Sequence, residues 1–246
     1  MIALLRLATL VLLLGLWWLA AHAGSSLIPT PLATAEAAVA MARDGRLWTA
    51  TLQSLAVYGA GLGLAVAVGI AAGLAMGGFR LVGETLELYV MALAATPRVA
   101  FIPLIIVLLG LGFEAKVAII FLGAVMPVVL NTYAGVLNAD GELVEMARSA
   151  GASRAQVFRR ILLPGALPFI VVGLRLGATI GLINTVVAEL YTAVRGLGGL
   201  LAIYGNTFQM APYFVVVLVL AAIGTLVTQG LRLVELRMAR WRYDGG

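Results

Sequence analysis

Six long apolar runs separated by short polar intervals set the organisation of this chain. Ile2 to Ala20 is the first run, led by Arg6 and closed by Trp17-Trp18, an aromatic pair suited to a membrane–water interface. A polar interval from Gly24 to Trp48 carries Pro29, Pro31, Arg43, Asp44 and Arg46, and within it Thr34 to Ala42 predicts a short surface helix. Thr49 to Met76 is the second run, followed by a predicted tight turn at Gly77-Gly78-Phe79-Arg80. Glu84 to Leu109 is the third, interrupted by Pro97 and Pro103. Leu111 to Lys116 reads as a polar connection. Val117 to Leu137, with Pro127 inside it, is the fourth run, and Gly165 to Leu190 is the fifth. After a Gly-rich connection from Tyr191 to Pro212, in which Leu200 to Tyr204 predicts a dipping helix, Tyr213 to Leu231 is the sixth. Each run has about the 20 apolar residues that a spanning helix needs.

The prediction is an all-α membrane protein with about six transmembrane helices in one domain over residues 1–246. Residues 1–23 form a first span or signal-like helix, 49–231 the core spans, and 140–164 a cytoplasmic loop. Ala21-His22-Ala23 before Gly24 imitates a signal-cleavage site, but a retained first helix is expected because further spans follow.

Composition narrows the class. Apolar residues make up 63% of the chain and charged residues 11%, against roughly 25% charged in soluble domains. With no cysteine and a single histidine, His22, thiolate and His-cluster metal sites are excluded. The net charge is +5. It implies membrane lipid and no nucleic acid as its counterpart, through the excess of cytoplasmic arginine in membrane proteins. With six spans, Arg6, Arg80, Arg148, Arg154, Arg159, Arg160 and the tail arginines Arg232, Arg237, Arg240 and Arg242 fall on one side. Only Arg43, Arg46, Lys116 and Arg195 fall on the other. Both termini are therefore predicted to be cytoplasmic, in a multi-pass membrane protein. Arg98 and Arg175 remain within the membrane.

The stretch Ala139 to Pro164 breaks the apolar pattern most sharply, with Asp140, Glu142, Glu145, Arg148, Arg154, Arg159 and Arg160. Such a cluster belongs in water, since each charge costs several kcal/mol in hydrocarbon. Asp140 is placed to cap a helix running to Ala150, Gly151 to end it, and Ser153 to cap a second helix that Pro164 closes. Two capped helices in a loop point to a docking element.

The fifth run has two faces. Gly173, Gly177, Gly181, Asn184 and Ala188 line one, a packing face for a neighbouring helix. The opposite face carries Arg175, Thr179 and Glu189. Charges inside a membrane are functional candidates, with structural ion pairing as the rival. Glu189 lies near the outer end, where wetting is easy, and reads as a gate or loop anchor. Arg98, beside Thr96 and directly after Pro97, sits where the proline frees backbone carbonyls, and a cation there could attract an anionic solute. Thr96, Arg98, Arg175, Thr179 and Glu189 are the pathway candidates. No GxxxxGK[ST] phosphate loop, GxSxG or HExxH is present, which weighs against ATP hydrolysis or membrane hydrolase chemistry in this chain.

The spacing Glu145-x-Ala147, three residues, Gly151, nine residues, Ile161-x-Leu163-Pro164 resembles the EAA loop of ABC-importer transmembrane subunits, with Met146 as the one departure. Leu27 to Pro31, Pro97 to Leu104, Pro164 to Pro168, Gly173-Leu174-Arg175, Val187-Ala188-Glu189 and Gly196-Leu197-Gly198 are similar to the subgroup serving sulfonate, taurine, nitrate and bicarbonate importers. The resemblance implies a type I importer (MetI-like) fold and a permease moving a small anionic solute across a bacterial cytoplasmic (inner) membrane. It implies no cofactor in this chain, ATP and Mg being bound by a partner ATPase dimer. A second permease subunit, expected to be a copy of this chain with a homologous chain as the alternative, and an external solute-binding protein are the other implied partners. It also makes Glu142, Glu145, Ala147, Arg148, Gly151 and Ala152 the ATPase-coupling candidates. The rival reading is a self-contained secondary transporter or channel, which predicts inverted repeats.

Overall fold

A computed structural model describes residues 1–23, 27–192 and 195–240. The cleavage-like Gly24 and the tail arginine Arg242 lie outside the described residues. Among those described the secondary structure is helical: α1 (Ile2–His22), α2 (Pro31–Arg43), α3 (Arg46–Gly78), α4 (Arg80–Ala95), α5 (Ile102–Leu109), α6 (Phe113–Leu137), α7 (Gly141–Ser149), α8 (Arg154–Val157), α9 (Leu163–Thr192), α10 (Leu197–Asn206) and α11 (Met210–Arg240). A 3₁₀ turn, Arg98–Phe101, precedes α5, and a π turn, Phe158–Leu162, precedes α9. Among the described residues, five helices are long and apolar enough to cross a membrane. The pair formed by α4 and residues 98–109, bent by 81°, makes a sixth when counted as one broken span.

The chain forms two compact units, residues 1–55 with 189–223 and residues 56–188 with 224–246. In the larger unit α6 is the buried helix. Gly61, Gly69, Gly73 and Gly77 of α3 face it. A Cβ added at Gly69 would stand 2.7 Å from the Val128 Cβ, and one at Gly73 would stand 2.5 Å from the Thr132 Cβ. From α9, Gly173 faces Asn131 and Gly177 faces Val128 and Ala124. Asn184 packs against Gly123, and Ala188 is buried with Ile102 and Ile119. The glycine face of the fifth span is thus a packing face. In hydrocarbon, helices gain little from hiding apolar surface, so backbone-close van der Waals contact over small residues holds them together.

The prolines correct the expected boundaries. Pro97 does break the third span, leaving Thr96 extended. Pro103 breaks nothing, because it falls in the first turn of α5, where a missing N–H costs no helical bond. Pro164 closes no helix either: the chain stays helical from Arg154 to Thr192. The π turn just before it, with the Leu163 N–H donating to the Phe158 carbonyl, shifts the bonding pattern by one residue ahead of the proline. Lys116 was expected in a polar connection but is buried in the first turn of α6, which begins three residues earlier at Phe113. Only Phe79 leaves the helix at the predicted Gly77–Arg80 turn.

In the smaller unit α2 begins at Pro31 after Thr30, whose Oγ1 accepts from the Ala33 N–H at 3.2 Å. Its Thr34 and Met41 are buried, so the helix is not a free surface element. The Trp17 ring stacks on Phe214 with centroids 6.0 Å apart, and its Nε1 donates to the Pro29 carbonyl at 2.9 Å. The dipping helix predicted at Leu200–Tyr204 is the longer α10, entered through Gly196 at φ +92°.

Candidate functional site

The charged loop folds into the two capped helices. Asp140 Oδ1 accepts from the N–H groups of Glu142 and Leu143 at 2.9 and 3.3 Å. The chain then reverses at Gly151, whose φ of +83° lies in the left-handed region that a Cβ disfavours. Ser153 and Gln156 form a reciprocal capping box at the start of α8. The nine residues of α7 include none that is buried. Leu143 is 44% exposed and Met146 64% exposed. Glu142, Glu145 and Arg148 are exposed on this helix, Ala147 is half-buried, and Gly151 and Ala152 follow directly. The six coupling candidates therefore fall within one short segment, residues 142–152, whose helix has no buried residue.

Beside it lies a cleft of about 730 Å³ lined by Phe79, Arg80, Leu81, Arg148, Arg154 and Phe158 among others. It joins the α3–α4 turn to the charged loop within one compact unit. Arg80 pairs with Glu84 at 2.7 Å.

The membrane-embedded candidates divide. Arg98 sits at the break between α4 and the 3₁₀ turn. Its Nη2 donates to the Ala94 carbonyl at 2.9 Å and its Nη1 to the Gly123 carbonyl at 3.0 Å. Both acceptors have lost their usual helical donors. Ala94 lies where α4 ends, and Gly123 lies four residues before Pro127, which has no N–H. The guanidinium thus replaces two missing backbone bonds. Thr96 Oγ1 donates to the Ala92 carbonyl at 2.8 Å. On α9 the exposed Thr179 donates to the Arg175 carbonyl at 3.0 Å, one turn from the half-buried Arg175 side chain.

Glu189 was expected near water, yet it is 1% exposed; it belongs to the smaller unit, and the other four candidates belong to the larger. Its carboxylate oxygens lie 2.8 and 2.7 Å from Ser54 Oγ, and the Gly198 N–H donates to it at 2.9 Å. Ser54 Oγ in turn accepts from the Leu197 N–H at 2.8 Å, and Gln53 Oε1 accepts from the Gly196 N–H at 3.2 Å. The first turn of α10 is thereby tied to α3 and to the end of α9. Ser54 and Gln53 were missed, although two adjacent polar residues inside an apolar run were a visible signal.

Residues 65–240 match the family described as binding-protein-dependent transport system inner membrane component. The chain belongs to that family. The permease is 34% identical to the taurine transport system permease protein of Escherichia coli strain K12, over 96% of its own length and 89% of that protein. It is 33% identical to a putative aliphatic sulfonates transport permease protein of the same organism, with 97% and 93% covered. A riboflavin transport system permease protein of Chloroflexus aurantiacus is 31% identical, with 95% and 88% covered. The inward-facing methionine ABC transporter MetNI superposes with a TM-score of 0.66 at 19% identity, covering 76% of the permease and 93% of that chain. The fold is that of ABC-importer permeases, and this chain is the transmembrane permease subunit of such a transporter. The subunit class implies an ATPase and a solute-binding protein as partners.

Proposed function

We propose that the permease moves a small organic anion of the sulfonate class inward, as one of a pair of identical permease chains. An ATPase dimer docks on α7 and Gly151, contacting Glu142, Glu145, Ala147, Arg148 and Ala152. It binds the ATP and Mg, and this chain performs no hydrolysis. A solute-binding protein delivers the anion on the far side, and both termini and the charged loop face the cytoplasm of a bacterial cell. Closure of the ATPase pair pushes on α7 and shifts the spans between inward- and outward-open populations, through binding energy that differs between the two states.

The observation that carries the docking site is α7 itself. Capping at Asp140 and the left-handed turn at Gly151 hold its shape, while every one of its residues stays unburied. A short helix has no intrinsic stability in water, so one maintained in this form without cover from its own chain is shaped for a partner. Support for the solute class comes from the taurine and sulfonate relatives.

Co-expression of the tagged permease with the ATPase from the same operon tests the docking. The ATPase is expected to co-purify with the wild type. A Gly151→Val permease is expected to lose it, since the left-handed backbone costs a β-branched residue about 1–2 kcal/mol. Taurine and alkanesulfonate uptake in cells lacking their own sulfonate importers tests the solute. Wild-type ATPase recovery by Gly151→Val would refute the docking site, and absence of sulfonate uptake by the assembled transporter would refute the solute class.

A further inference from the structure

The cleft beside the charged loop shares Arg148 and Ala152 with the docking segment, but two of its arginines, Arg80 and Arg154, lie outside that segment. Its lining holds three arginines, Arg80, Arg148 and Arg154, and no acidic residue. Arg148 and Arg154 have no ion-pair partner among the described residues, and the Arg80 pair with Glu84 is exposed at 89% and 60% of the two side chains. Ion pairs that open to solvent hold little energy and exchange easily. The mouth of the same cleft carries Phe79, 67% exposed, and Leu81, 81% exposed, on either side of Arg80 in the chain. Phe79 adopts the extended backbone that separates α3 from α4.

Unpaired guanidinium groups beside exposed apolar side chains match an amphiphile with an anionic head. Guanidinium forks bind phosphate oxygens in bidentate fashion. Phe79 and Leu81 offer exposed apolar surface to an acyl chain, which a free phosphate ion would not need. We propose that this cleft binds the phosphodiester headgroup of an anionic phospholipid of the cytoplasmic leaflet. The lipid bridges the α3–α4 turn, through Arg80, to the charged loop, through Arg154. It thereby makes the setting of the loop sensitive to lipid charge. The inference rests on the topology under Proposed function, which places this face at the cytoplasmic headgroups, where basic clusters attract anionic lipid.

The test uses the full permease co-expressed with its ATPase and reconstituted in nanodiscs of equimolar phosphatidylglycerol and phosphatidylcholine. Lipid retained after detergent extraction is counted by native mass spectrometry. Wild-type protein is expected to retain phosphatidylglycerol about tenfold more than the Arg80→Gln/Arg154→Gln variant, at roughly 1 kcal/mol for each arginine near the membrane surface with some loss to screening. Arg80→Lys/Arg154→Lys, which keeps the charge, is expected to recover part of that retention. Arg159→Gln/Arg160→Gln, outside the cleft lining, is expected to retain lipid as the wild type does.

Equal retention by wild type and Arg80→Gln/Arg154→Gln overturns the proposal. So does loss of the retained lipid to excess inorganic phosphate, since the site would then take the free ion without a lipid tail. Loss of ATPase co-purification by that variant with lipid retention intact also overturns it, because the cleft would then belong to the protein partner. ATPase recovery with wild-type permease, read from the same preparations, reports on the proposed function separately from lipid retention.

Discussion

Replacing Glu189 by alanine is the most direct probe of how α10 is held. The substitution leaves the Gly198 N–H and the Ser54 hydroxyl without their acceptor in a site where the carboxylate is 1% exposed. Each buried polar group orphaned in this way costs about 1–3 kcal/mol. Relief from burying a charge offsets part of that loss, because an ion in such surroundings carries a desolvation penalty of several kcal/mol. A net destabilisation of about 3 kcal/mol is expected, which for a chain of this length corresponds to a fall of roughly 6–12 °C in melting temperature. Glu189→Gln keeps one acceptor oxygen while presenting amide hydrogens to neighbours that are themselves donors, so about half that loss is expected. The assay is thermal unfolding of detergent-solubilised permease followed by intrinsic fluorescence. The double variant Ser54→Ala/Glu189→Ala belongs in the same series and should fall short of the sum of the two single losses by about 1 kcal/mol. A Glu189→Ala protein melting within about 2 °C of wild type would show that the carboxylate does not hold α10.

Three further outcomes are expected from the same geometry. Gly73→Leu places its Cβ 2.5 Å from the Thr132 Cβ and 2.7 Å from the Val129 carbonyl, and the carbonyl is backbone that cannot swing aside. Forcing the two helices apart should cost about 3 kcal/mol, read as a lower melting temperature, whereas Gly63→Leu, with open space at its Cβ, should melt like the wild type. Arg98→Met should destabilise by about 2–4 kcal/mol by orphaning the Ala94 and Gly123 carbonyls. Arg98→Lys should restore less than half, since an ammonium cannot span both acceptors with a planar fork. An Arg98→Met permease of full stability that had lost sulfonate affinity would instead assign Arg98 to solute binding. Asp44 is held below its ordinary value of 3.8 by the Arg46 side-chain hydrogen bond and then by the Arg46 backbone N–H. Its folded pKa is the lower one, so its contribution is present above the unfolded value and is lost as pH falls through the folded value. Below about pH 4 the stability difference between wild type and Asp44→Asn should therefore shrink, as measured by melting across an acid titration.

Much of the architecture was legible in the chain because membrane insertion constrains backbone hydrogen bonding so severely. Long apolar runs can only be helices in hydrocarbon, so the number of spans and the packing role of Gly173, Gly177 and Gly181 could be read from spacing. The charged loop was legible for the opposite reason: Asp140, Gly151 and Ser153 act on their own neighbouring backbone, and local chemistry does not wait for tertiary contacts. What only the tertiary structure decided were the partners of isolated polar side chains. Nothing within a few residues of Arg98 reveals that Pro127, far along the chain, has left a carbonyl for it to satisfy. Nor does the neighbourhood of Glu189 announce Ser54, which approaches from another helix and meets a carboxylate that is buried. The effect of each proline was decided the same way, because Pro97 breaks a helix while Pro103 and Pro164 fall where the surrounding backbone already lacks or reroutes the bond they remove.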